Sequence, residues 1–134
     1  MKKPAPTLPH KLWIGTYEFK MNSVVSEHPG LCGEDGQMEA DGRNCIIWLA
    51  DDMGPRRLVE IVLHEITHAI NWVNDIDDDD KKVFIEEEEL ARKHGLAWSQ
   101  FWLDNPRFER WFVFALARIR RERRVDDPPT TESK

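Results

Sequence analysis

Two histidines and a glutamate in the middle of the chain have the types and spacing for metal chemistry. His64 and His68 lie four residues apart in the apolar stretch 58–73. In a helix both imidazoles stand one turn apart on the same face and can reach one metal ion. Glu65 directly follows the first histidine and is placed to take a proton from a metal-bound water. This H-E-x-x-H spacing predicts a hydrolytic zinc site with His64 and His68 as ligands and Glu65 as general base.

The residues around the motif predict the helix that the motif needs. Gly54-Pro55 suits a helix start, because proline fits the first turn, where its missing N–H has no partner to lose. No proline or glycine interrupts 58–73, and its apolar residues recur at helical spacing. The expected packing stripe consists of Leu58, Val62, Ile66, Ala69, Ile70 and Val73.

A third protein ligand has to come from elsewhere, because a catalytic zinc normally has three protein ligands and one open position for water. A second helix predicted over 83–102 contains the glutamate run 86–89. Four consecutive residues span about 300° of a helix, so these glutamates cannot all share one exposed side. Helical spacing from Ala91 and the tryptophans behind it predicts an inward Glu88 as the third ligand. The alternatives are Glu87, followed by Asp75 and Asp77.

Three parts of the chain carry a resemblance to a known group of proteins. They are the motif 64–68, the Glu87-Glu88 pair and the segment 95–106, which ends in Asp-Asn-Pro. Together they resemble the small zinc-metallopeptidase-like proteins of tailed bacteriophages and prophages, which are similar to minimal gluzincins and to the SprT-like group. The resemblance implies an α+β, zincin-like fold, with a short antiparallel or mixed sheet on three α-helices and the motif on the first. It also implies one Zn²⁺ per chain and a peptide or protein substrate.

The rest of the chain predicts the elements that would position this site. We expect strands over 11–25 and 44–50, a hairpin turn at Asp41-Gly42, and a third helix over 107–124. By the same resemblance, strand 47–50 lies at the sheet edge and receives the substrate by strand addition. The arginines of the third helix are expected to cover its exposed side and to complement its C-terminal dipole.

Length and composition predict one domain in a cytoplasmic setting. The 134 residues suit a single zincin-like domain over 11–125, with a flexible arm over 1–10 and a disordered tail over 126–134. No apolar run is long enough for a membrane span, and no signal-peptide pattern is visible. Cys32 and Cys45 are then expected to be reduced, although a bridge between them stays open. The net charge of −6 argues against general nucleic-acid binding.

The predicted function is hydrolysis of a peptide bond by a metal-activated water. His94 and Tyr17 could stabilise the oxyanion, and Asn71 and Asp104 could orient the histidines from behind. Two alternatives stay open. One is a zinc-stabilised phage interaction or regulatory domain without catalysis, and the other is a SprT-like, DNA-associated protease that uses the third helix as its DNA contact. The oligomeric state is left open.

Overall fold

Four strands and three helices follow one another in a computed structural model, which describes residues 5–76 and 87–126. This is an α+β architecture with a mixed sheet, and at this level the predicted fold class is confirmed. The strands are β1 (Lys11–Ile14), β2 (Tyr17–Val24), β3 (Gly36–Ala40) and β4 (Cys45–Ala50). The helices are α1 (Pro55–Val73), α2 (Glu87–Asp104) and α3 (Pro106–Asp126), and a 3-10 turn covers Pro29–Leu31.

The sheet has the order β1-β2-β4-β3, in which β2 and β4 run parallel and both outer pairs are antiparallel. The strand predicted over 11–25 is in fact two strands, because the chain turns at Gly15, whose φ is +61°. The hairpin turn after Asp41 is present: the Asp41 N–H donates to the Asn44 carbonyl at 2.9 Å. It joins β3 to β4.

The prediction that 47–50 forms a sheet edge is wrong. β4 pairs with β2 on one side and with β3 on the other. Its apolar residues Ile47 and Leu49 are fully buried, which requires a central position. The edge strand next to α1 is the polar, glycine-containing β3, since a half-exposed edge tolerates polar residues better than a central strand does.

Helix α1 packs its apolar side against the sheet and α3, in one core. The helix begins at Pro55, as Gly54-Pro55 predicted. Four members of the expected stripe are buried, and Leu58 and Val73 are half-buried. Side chains of β2, β4 and α3 complete the core. They include Phe19, Met21, Ile47, Leu49, Phe108, Trp111 and Ala115.

The predicted packing side of helix α2 is confirmed in part. Trp98 and Trp102 are half-buried and pack against the core together with the buried Phe101, whereas Ala91 and Gly95 are exposed. A side chain added at Gly95 would meet no atom within 4 Å, so this glycine does not serve a close helix approach. The helix begins at Glu87 and ends at Asp104.

Asn105 joins the two C-terminal helices to the sheet. Its Oδ1 accepts a hydrogen bond from the Trp13 N–H at 2.8 Å, and its Nδ2 donates to the Trp13 carbonyl at 2.7 Å. The same Nδ2 donates to the Phe101 carbonyl at 2.8 Å, and the residue is 5% exposed. The Asp-Asn-Pro segment therefore has a structural role, because it fixes α2 and α3 to the outer edge of β1.

Several predictions concern the ends and connections of the chain. Cys32 and Cys45 are both free thiols. Among the helices in the described ranges, none combines the length and the apolar character needed to cross a membrane. The predicted arm and tail fall partly on residues 1–4 and 127–134, and Asp77 lies in 77–86; all of these are outside the described residues.

Candidate metal centre

Helix α1 brings the two histidines to one point. The Nε2 atoms of His64 and His68 are 3.0 Å apart, and the rings meet edge to face with centroids at 4.6 Å. Two zinc–nitrogen bonds of 2.0–2.1 Å at a tetrahedral angle would separate such nitrogens by about 3.3 Å. The pair could therefore hold one metal ion after a slight opening.

Glu65 lies beside this pair and deep in the protein. Its Oε1 is 3.9 Å from His64 Nε2, and the ligand atoms of His64, Glu65 and His68 all lie within 4.8 Å of one another. The residue is only 5% exposed, and its Oε2 makes no hydrogen bond within the described parts of the chain. A buried carboxylate oxygen without a partner indicates a position meant for another group, such as a water or a substrate.

The surroundings of Glu65 shift its acidity. Burial, the largest effect, raises the pKa of the Glu65 carboxyl above its usual value, and the charge of Glu34 adds to this. His68, His64 and the backbone amide of Met38 act in the opposite direction. Such a carboxyl holds a proton more readily than a surface glutamate, which is the property required of a group that takes and returns a proton near neutral pH.

A cleft of about 680 Å³ opens beside the three residues, between α1 and the start of β3. Gly36 forms its closest wall: a side chain there would place Cβ 2.4 Å from Ile61 Cγ2 and 3.1 Å from Glu65 Cγ. The lining residues are Glu34, Asp35, Gly36, Gln37, Met38, Arg57, Glu60, Ile61, His64, Glu65 and His68.

The backbone of β3 turns hydrogen-bonding groups toward this cleft. The Ala50 N–H donates to the Asp35 carbonyl at 2.9 Å, so these two residues form a hydrogen-bonded pair. In an antiparallel ladder, hydrogen-bonded pairs alternate with non-hydrogen-bonded pairs. Gly36 and Met38 belong to non-hydrogen-bonded pairs, so their N–H and C=O groups are directed away from β4. Along this wall of the cleft, β3 is therefore paired with β4 on one side only, among the strands of the described residues.

The predicted carboxylate ligand is not part of the three-residue group. Glu88 lies at the start of α2 with an exposed side chain instead of the inward one expected, and its role as a ligand stays a prediction. Asp75 is exposed in a left-handed conformation (φ +53°) and is also outside the group. The Glu87 side chain and Asp77 belong to the part of the chain that is not described.

The residues predicted to assist catalysis lie elsewhere. Tyr17 packs edge to face on Trp72 with centroids at 5.0 Å, and neither Tyr17 nor His94 lines the cleft. Asp104 accepts a hydrogen bond from Gln100 on its own helix at 2.9 Å. Asn71 is buried in α1. Their assignment to oxyanion stabilisation or histidine orientation stays a prediction.

Sequence interpretation missed the β3 wall, with Glu34, Gly36 and Met38. Residues 34–43 are polar and glycine-rich and lack the alternating apolar pattern of a strand. The one available signal was the turn at Asp41-Gly42, which fixes the preceding residues as the partner of β4.

No protein-family model matches the chain, and no curated protein or solved structure is significantly similar to it. The functional argument therefore depends on the geometry of His64, Glu65 and His68 and on the cleft around them.

Proposed function

We propose that this protein is a zinc-dependent metallopeptidase with a minimal zincin-like fold. One observation carries the proposal: two imidazole nitrogens converge at 3.0 Å beside a buried carboxylate that has an oxygen without a hydrogen bond. Zinc bound there would polarise the scissile carbonyl and lower the pKa of a bound water toward 7. His64 and His68 would hold the ion.

Glu65 would move the proton. With a pKa raised by burial, its carboxylate accepts the proton of the attacking water and returns it to the leaving amine. Its exclusion from solvent keeps the proton available for that second step. The Gly36 wall supports this role, because any larger residue there would press on the Glu65 side chain.

A carboxylate from α2 is proposed as the third ligand. Glu88, the ligand predicted from the sequence, lies at the start of this helix with an exposed side chain, and Glu87 is the main alternative. Zinc content of Glu87→Gln and Glu88→Gln measured side by side tests the choice: only the variant of the true ligand loses metal.

The shape of the cleft favours a peptide substrate. An extended chain can pair with the outward N–H and C=O of Gly36 and with the outward C=O of Met38, whose N–H is engaged by the Glu65 carboxylate, as strand-adding ligands do at sheet edges. Such pairing places a substrate carbonyl next to the histidines on α1. A small, compact substrate would leave this edge unused.

The experiment is metal analysis combined with hydrolysis of a quenched fluorescent peptide library. We expect about one zinc per chain, and Glu65→Gln should retain zinc while losing at least about a hundredfold in rate, the usual contribution of a general base. Glu109→Gln, on an exposed position of α3, is the matched control and should behave like the parent.

Two results would contradict the proposal. Absence of zinc binding would remove its basis. Zinc binding without hydrolysis of any library member, together with unchanged biological function in Glu65→Gln, would instead favour a zinc-stabilised interaction domain.

A further inference from the structure

We propose that the cleft selects peptides with a lysine or arginine next to the bond to be cleaved, and that Glu34 recognises this positive charge. The inference rests on the function proposed for the site and names its substrate class. It follows from the position of Glu34, from the ion pairs around it and from its proximity to Glu65.

The backbone around Glu34 is held in place at both ends. Its N–H donates to the carbonyl of Leu31 at 2.9 Å, and Leu31 is fully buried below the 3-10 turn. On the other side, the Asp35 carbonyl accepts from the Ala50 N–H of β4 at 2.9 Å. Glu34 is therefore presented to the cleft by a fixed loop, which reduces the entropy lost when its side chain binds a ligand.

The other exposed acids of the cleft already have cationic partners. Arg57 contacts the Asp35 carboxylate through Nε and Nη2, both at 3.1 Å. Glu60 lies 3.6 Å from Arg57 Nη1 and 3.6 Å from Arg56 Nε. Glu34 makes no ion pair with any residue in the described ranges, so its charge remains available to a ligand.

Glu34 is close to the reacting centre without belonging to it. It lies two residues before Gly36 and lines the same cleft as Glu65. It is not part of the group whose ligand atoms lie within 4.8 Å of one another. This placement suits recognition of a substrate side chain better than binding of the metal.

A second observation shows that the cleft is built for a ligand. Glu65 Oε2 is buried, lines this cleft and has no hydrogen-bond partner among the described residues. A bound peptide would thus place its scissile bond at the Glu65 carboxylate. The side chain of the residue next to that bond would contact Glu34. A partly exposed ion pair of this kind gives a preference of about two- to tenfold for lysine or arginine over glutamine.

The test is cleavage of a proteome-derived peptide mixture by the zinc-loaded protein, with the cut sites read by mass spectrometry. We expect lysine and arginine to be enriched in the residues flanking the cut sites. Glu34→Gln should remove the enrichment, Glu34→Lys should replace it with aspartate and glutamate, and the control Glu109→Gln should keep it. All variants should retain about one zinc per chain.

Each outcome decides a separate point. Cleavage without basic enrichment refutes the role of Glu34 and leaves the peptidase proposal intact. Loss of zinc in Glu34→Gln makes Glu34 a metal ligand and also refutes it. If nothing is cleaved, the peptidase proposal fails. Fluorescence anisotropy with lysine- and glutamate-containing versions of one peptide then still decides whether Glu34 selects positive charge.

Discussion

Replacing Glu65 by glutamine should stabilise the metal-free protein at neutral pH. The carboxylate is 5% exposed, and one of its oxygens has no hydrogen bond within the described residues. A buried polar group left in this way costs about 1–3 kcal/mol, and more when it is charged. Glutamine removes the charge but keeps a polar group, so we expect a gain of about 1–2 kcal/mol in the free energy of unfolding. For a domain of this size that corresponds to about 2–6 °C in Tm.

The gain should depend on pH in a defined direction. Because the folded-state pKa of Glu65 is raised, proton binding favours the folded state. This contribution is fully present below the unfolded-state pKa of about 4.3 and is lost as the pH rises through the folded-state pKa. The advantage of glutamine is therefore largest at the alkaline end of the range, above the raised pKa of Glu65, and it should shrink as the pH falls and Glu65 gains a proton.

Urea denaturation in the presence of a chelator measures this difference directly, at several pH values between 5 and 8. Glu109→Gln is the control, because Glu109 has an exposed side chain on α3 and makes no ion pair with any residue in the described ranges. Its stability should stay within about 0.5 kcal/mol of the parent. If Glu65→Gln were less stable than the parent at pH 8, or if its gain did not change with pH, the explanation by burial of charge would be refuted.

Two substitutions and one NMR titration test other contacts described above. Gly36→Ala should destabilise the protein by about 1–3 kcal/mol in urea denaturation, because the new Cβ would lie 2.4 Å from Ile61 Cγ2; unchanged stability would mean that Ile61 rotates away freely. Asn105→Ala removes three hydrogen bonds, two of them to Trp13, and should cost about 2–3 kcal/mol; a loss below about 0.5 kcal/mol would contradict that role. The pKa of Asp41, measured by NMR titration, should lie below its usual value because two backbone N–H groups donate to its carboxylate. The stabilisation is then present above the unfolded-state pKa and lost as the pH falls through the folded-state pKa, and a normal or raised pKa would contradict the hairpin geometry.

Sequence patterns predicted those parts of the fold that depend mainly on residues close together in the sequence. Helix α1 combines a proline start with an uninterrupted apolar period, and the motif at 64–68 has only one geometry in a helix. The packing side of α2 was predicted only in part: Trp98 and Trp102 pack on the core, but Ala91 is exposed and the most buried residue is Phe101. Phe101 fills the core more completely, since it has no polar atom to keep near solvent.

The β3 wall could not be predicted from local sequence. Its position depends on pairing with β4 and on the contact that Gly36 allows with α1, and both are tertiary effects. For the same reason the role of Glu34 is invisible in the sequence, where it is one acid in a polar loop. Its importance appears only when the ion pairs of Asp35 and Glu60 are known.

The hydrogen bonds of Asn105 protect one edge of the sheet from pairing with another chain. An open sheet has two edges, and each edge with free backbone groups can recruit an extended chain or a second molecule. At β1, the Asn105 amide occupies both backbone groups of Trp13 as a neighbouring strand would, so one side chain blocks that edge. Asn105→Ala would leave both backbone groups of Trp13 without these partners, and we expect the variant to self-associate through the edge of β1.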